Sequence, residues 1–132
     1  MQPDASIAQY LALATELLKN GQAEEAFAHL EKLVTDVPDL AIGWYLLGHM
    51  ALSIGDADAA IPLLEKSASL DLSHVESQLD LCLAYANTGR MGDALLLYKV
   101  LLPQGFAVTS RLPLELRNAL EGLLPKGGAA PQ

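Results

Sequence analysis

The sequence predicts an all-α fold: three helical hairpins stacked side by side, followed by one further helix that closes the stack. Three observations carry this. Glycines recur at Gly21, Gly55 and Gly89, 34 residues apart, and alanines keep the same register at Ala26, Ala60 and Ala94. Leucines recur at Leu13, Leu47 and Leu81, each followed by a small residue, Ala14, Gly48 or Cys82. A fixed period of this length marks supersecondary units that bury their apolar faces only against one another.

Counting outward from Gly21 gives a short extension (residues 1–6), three units, Ile7–Leu40, Ala41–His74 and Val75–Val108, and a carboxy-terminal segment. Each unit reads as helix, turn, helix. Ser6 with Gln9 predicts a capping-box start for the first helix, and Ser73 with Glu76 predicts the same for the fifth. The glycines end the first helix of each pair, where a left-handed residue is needed. Acids then fall in the opening turn of each second helix (Glu24 and Glu25, Asp58, Asp93), facing the positive end of the helix dipole.

Pro38 and Pro103 predict the ends of second helices. Pro62 falls inside the fourth helix and predicts a bend without a break, because the leucine pattern runs on through Leu63, Leu64 and Leu70. Residues 109–124 predict the closing helix: between Arg111 and Leu124 a single stripe carries Leu112, Leu116, Ala119, Leu120 and Leu123. Such stacks need an element that covers the last apolar face. Residues 125–132, ending Gly127-Gly128-Ala129-Ala130-Pro131-Gln132, read as a tail or linker.

Composition narrows the function. The net charge of −8 argues against DNA, RNA or anionic lipid as partner, since those demand clustered positive charge. Hydrophobic residues make up 52% of the chain while charged ones make up only 18%, below the usual level of about 25%. An elongated stack buries less than a sphere, so that excess predicts an apolar face covered by a partner, a terminal helix or a second copy. Cys82, the only cysteine, excludes an internal disulfide and suits a reducing compartment. No basic segment precedes an apolar run at the amino terminus and no stretch is long enough to span a bilayer, so the expectation is a soluble cytoplasmic protein.

Catalytic sets do not assemble. The three histidines are too far apart in sequence for a helical metal pair, Cys82 occupies a helix-crossing position, and no glycine loop stands between strand and helix to cradle phosphate. Glu76 and Asp80 lack an enclosed cleft to separate their proton affinities. The expectation is no enzyme, no cofactor, no catalytic residue and no metal site.

The register resembles the tetratricopeptide-repeat family over residues 7–108. The middle unit matches through Trp44, Leu47, Gly48, Ala60, Leu64 and Ser67, and the first through Tyr10, Leu13, Ala14, Ala26, Leu30 and Pro38. The third matches through Leu81, Cys82, Tyr85, Ala94 and Tyr98, with Gln78 in place of an aromatic and Phe106 in place of the closing proline. Leu72 replaces that proline in the middle unit, and Leu33 and Leu101 stand at a usually small position.

The resemblance implies a right-handed superhelix, an α-solenoid, whose leading helices line a concave groove that holds a peptide or helix of a protein partner. By resemblance the groove is lined by Leu11, Thr15 and Leu18, by Tyr45, Leu46, His49 and Leu52, and by Leu79, Leu83 and Ala86. Glu76 and Asp80, four residues apart on one helix face, add an acidic rim that would select Lys or Arg. The chaperone-type carboxylate clamp of this family is excluded, because its positions here are Leu11, Thr15, Leu46, Glu76 and Asp80, none of them basic. The expectation is thus an interaction module, adaptor or scaffold. Its alternatives are a secretion-type chaperone for an apolar client, the amino-terminal recognition domain of a larger enzyme such as a transferase, and a self-assembling homo-oligomer.

Overall fold

The computed structural model describes residues 3–125, with side chains from residue 8 onward. These residues form α1 (Pro3–Lys19), α2 (Ala23–Asp36), α3 (Ala41–Ser53), α4 (Ala57–Leu70), α5 (Val75–Asn87), α6 (Met91–Leu101), a 3-10 turn (Leu102–Gln104), α7 (Phe106–Thr109) and α8 (Leu114–Leu123). No strand occurs among them. Consecutive helices pack as antiparallel pairs, α1 on α2, α3 on α4 and α5 on α6, and each pair packs on the next through α2–α3 and α4–α5.

The turns inside the pairs are three copies of one structure. Gly21, Gly55 and Gly89 adopt φ values of 77°, 88° and 81°, a region that a Cβ atom penalises. In each, the amide just beyond the glycine closes back on the helix: Gln22 N to Leu17 O at 2.8 Å, Asp56 N to Ala51 O at 2.9 Å, and Arg90 N to Tyr85 O at 2.7 Å.

Helix starts follow the sequence less closely. α1 begins at Pro3, so Ser6 lies within the helix and does not cap it; proline at a first helical position is already set to helical φ. Ser73 does not cap α5 either. Asp71 Oδ1 accepts both the Ser73 amide (3.0 Å) and its hydroxyl (2.7 Å), and His74 becomes the cap, its Nδ1 accepting the Ser77 amide at 3.2 Å. α4 runs without interruption through Pro62, with Ile61, Leu64 and Ser67 buried on either side of it.

Packing rests on two apolar clusters. The smaller joins Ala14, Ala26, Leu30, Leu33 and Leu47 across the first two pairs, and the larger runs from Ala51 through Leu64, Leu81 and Tyr98 to Leu120. Each leucine fully buried there contributes roughly 1.5–3 kcal/mol. The repeated alanines Ala26, Ala60 and Ala94 have no exposed surface. Gly48 is tighter still: a Cβ built on it would stand 2.6 Å from Leu64 Cγ, inside van der Waals contact. Leu47 and Leu81 are buried at 2% and 4% exposure, whereas Leu13, their counterpart in the first pair, is 43% exposed, with no further pair packed on it among the described residues.

The closing helix starts at Leu114, three residues later than its stripe suggests, because Pro113 disfavours helical backbone at Leu112. Leu112 and Leu120 are buried, while Ala119 and Leu123 stay exposed. α8 packs on α6, where the Tyr98 hydroxyl donates to the Glu121 carboxylate. The tail expected at 126–132 lies outside the described residues.

Gly48→Ala should lower stability by about 1–3 kcal/mol in urea titration, since Leu64 must move to admit the methyl. An unchanged midpoint would show that the α3–α4 crossing is looser than described.

Candidate functional site

The leading helices α1, α3 and α5 carry the residues expected to line a groove. α3 (Ala41–Ser53) reads AIGWYLLGHMALS and has no polar face. Gly43, Leu47, Gly48, Met50 and Ala51 are buried, yet Tyr45, Leu46 and Leu52 remain half-buried and His49 is exposed. A helix apolar all round in a repeat stack, with some of its residues left half open, has one face in the core and another left for something else to cover.

On α1, Leu11 is half-buried, Thr15 and Leu18 are exposed, and the Thr15 hydroxyl donates to Leu11 O at 2.8 Å. On α5, Leu83 and Ala86 are half-buried. Leu79 departs from expectation. It is only 6% exposed and belongs to the larger apolar cluster together with Tyr45, Leu52 and Val108, so it is a core residue and offers no contact surface.

The acidic rim needs a second correction. Glu76 Oε2 accepts from Arg111 Nη1 at 3.1 Å, and Asp80 Oδ2 stands 2.6 Å from His49 Nδ1. An ionised carboxylate only accepts, so His49 Nδ1 carries the proton in that contact. Both acids are therefore engaged within the chain, by groups 35 and 31 residues away, and neither is held out for a basic partner. The Glu76 carboxyl is held below the usual glutamate range, first by its own backbone amide and then by the Arg111 guanidinium.

Tyr45 lies between two imidazoles, with the His49 ring 5.5 Å away and tilted and the His74 ring 4.9 Å away and edge-on. Burial, together with the charges of Asp80 and Glu76, pushes its phenol up to about 12. This cluster joins α3 to α5 across the leading face. Cys82 is fully buried, its thiol donating to Ala94 O at 3.5 Å and raised by burial to about 12. Such a thiol is packing and not a nucleophile. Among the described residues no three His, Cys, Asp or Glu side chains converge as metal ligands, and no helix is long and apolar enough to cross a membrane.

Sequence reasoning passed over one feature. Between the opening turns of α2 and α4, over the end of α3, lies an apolar pocket of about 460 Å3 walled by Phe27 and Leu63 and floored by Met50 and Ala51. The signal was present in the repeat register: Ala51 stands where the next unit has Tyr85.

Paired helices repeated at one register, with glycine turns and alanine crossings, define a helical-repeat protein, and comparison with known proteins gives it a family. A family model described as tetratricopeptide repeat matches residues 11–71 and 51–105, and the chain belongs to that family. Such repeats generally serve as protein–protein interaction modules and are typically non-catalytic.

A search of curated proteins found no significant match. Among solved structures, a crystal structure of MamA is 25% identical with a TM-score of 0.65, covering 70% of this chain and 54% of that one. A second MamA structure, from MSR-1, is 27% identical with a TM-score of 0.66, over 78% of this chain and 60% of that one. The P58(IPK) TPR domain shares the fold with a TM-score of 0.70 at 23% identity, covering 94% of this chain and 33% of that one. The chain thus spans little more than half the length of the MamA structures and a third of the P58(IPK) one.

Arg111→Gln should raise the Glu76 carboxyl towards the ordinary glutamate value of about 4.3. Carboxyl-carbon NMR titration of both proteins measures this; identical titration curves would mean that Arg111 does not hold Glu76 in solution. Because the folded value is depressed, the stabilisation that Glu76 contributes is present above its unfolded value and is lost as the pH falls through the folded one.

Proposed function

We propose that this protein binds a peptide or helix of a partner protein along its leading helices, through Leu11, Thr15 and Leu18 on α1, Tyr45, Leu46, His49 and Leu52 on α3, and Leu83 and Ala86 on α5. The observation that carries the reading is α3, which is apolar on every side and yet leaves Tyr45, Leu46 and Leu52 half open. Leu18, 38% exposed on α1, and Leu83, half-buried on α5, extend apolar surface to both sides of it. Exposed apolar surface of this kind marks interaction sites on soluble proteins.

Binding on this surface is driven by apolar burial. Glu76 and Asp80 hold Arg111 and His49 and act as internal braces, so charge selection by the rim is weak. Partner segments that anchor two or three bulky apolar side chains at helical spacing suit the surface best.

The test is selection from a displayed random-peptide library, followed by affinity measurement with the Leu18→Glu/Leu83→Glu double variant. Selected peptides should bind the double variant at least tenfold more weakly, about 1.4 kcal/mol, while circular dichroism shows unchanged helix content. Equal affinity for both proteins would remove the leading-helix assignment.

A further inference from the structure

The pocket between α2 and α4 has an internal counterpart 34 residues on, and there the chain fills it. Tyr85 occupies the position equivalent to Ala51, 8% exposed, with its hydroxyl donating to Glu65 Oε2 at 2.5 Å. Arg90 occupies the position equivalent to Asp56; its guanidinium lies over the Tyr85 ring, 4.5 Å from the centroid, and its Nε donates to Asp93 at 2.9 Å. An aromatic ring capped by an arginine thus closes the space between the second and third pairs. Between the first and second pairs, Ala51 leaves the ring out and Asp56 reverses the charge of its cap.

The rest of the seat is retained. Phe27 and Leu63 stand half-buried where Ile61 and Leu97 stand in the filled copy, and Ala59 opens the rim where Asp93 would stand. Glu31, one turn beyond Phe27 on α2, corresponds to Glu65, the acceptor of the tyrosine hydroxyl. Charge points the same way: Glu24 and Asp56 line the pocket, and among the described residues no Lys or Arg does.

We propose that this pocket is a second docking site, on the side of the stack formed by α2 and α4, which takes an aromatic side chain of a partner polypeptide with an arginine beside it. The partner's ring replaces the one Ala51 omits. Its guanidinium lies over that ring, as Arg90 lies over Tyr85, and is held by Glu24 and by the second oxygen of Asp56, whose Oδ1 caps α4 by accepting the Ala59 amide at 3.1 Å. Tyrosine suits the seat better than phenylalanine, because Glu31 stands in the register of the carboxylate that receives the Tyr85 hydroxyl.

The test titrates the isotope-labelled full chain with acetyl-Tyr-Arg-amide and, separately, acetyl-Tyr-Glu-amide, following backbone amides by NMR. The first should give saturable shifts at Ala51, Ile54 and Ala59, and the second should bind at least tenfold more weakly. Ala51→Tyr should abolish the response and keep or raise Tm by filling the space as Tyr85 does. Ile54→Lys, at a position 76% exposed, should weaken binding at least tenfold without touching the fold. The Leu18→Glu/Leu83→Glu variant should respond as the parent does, which separates this site from the leading-helix surface. The proposal is overturned by absent or charge-indifferent shifts, by a drop in Tm or loss of folding in Ala51→Tyr, or by loss of response in the leading-helix variant. It is equally overturned if the same amides shift with protein concentration alone, which would make a second copy the occupant.

Discussion

The structure depends on how closely the two helices of each pair approach. Ala26, Ala60 and Ala94 sit at the crossings with no exposed surface, and Gly48 brings the backbone of α3 onto the Leu64 side chain. Small residues at these points set the separation, and the separation sets which side chains interdigitate above and below. Repeating the crossing every 34 residues repeats the geometry, so that each pair presents to the next the surface it received from the last. Glycine turns at φ near 80° keep the paired helices antiparallel and in register.

Against that backbone, the side chains that vary acquire meaning. Leading helices hold their inner faces in common and differ on the outer one, where α3 is apolar and braced to α5 through His49 and Asp80. The contact between pairs differs at the carboxy-terminal end of the leading helix, where Ala51 on α3 and Asp56 in the turn after it replace the ring and the guanidinium supplied by Tyr85 and Arg90. One surface arises from an excess of apolar residues and the other from an omission. Both draw on α3, the first completed by α1 and α5 and the second by α2 and α4.

The fold was legible because its signals are local and repeated. A glycine that must be left-handed and an alanine that must be small identify themselves when three copies agree. Cap assignments failed where two local options competed: Ser73 had the spacing of a capping box, but Asp71 lay two residues before it and captured its hydroxyl. The surface was less legible for a different reason. Leu79 carries the spacing of a groove residue, and nothing within its own helix shows that Val108 and its neighbours join it in the core. Glu76 and Asp80 looked like free acids because Arg111 and His49 are distant in sequence and meet them only after the stack has formed. The pocket at Ala51 was visible in the register, as a departure, but only the filled copy at Tyr85 tells what is missing.

Two adjacent alanines on α4 offer the most direct test of the close-approach account. Ala60 is fully enclosed at the crossing and Ala59 is exposed at the pocket rim, so Ala60→Leu and Ala59→Leu change the same chemistry one residue apart. Urea unfolding should show Ala60→Leu strongly destabilised, by about 1–3 kcal/mol or more, with Ala59→Leu unchanged or slightly stabilised. Equal effects at the two positions would contradict the claim that small residues at the crossings determine this structure.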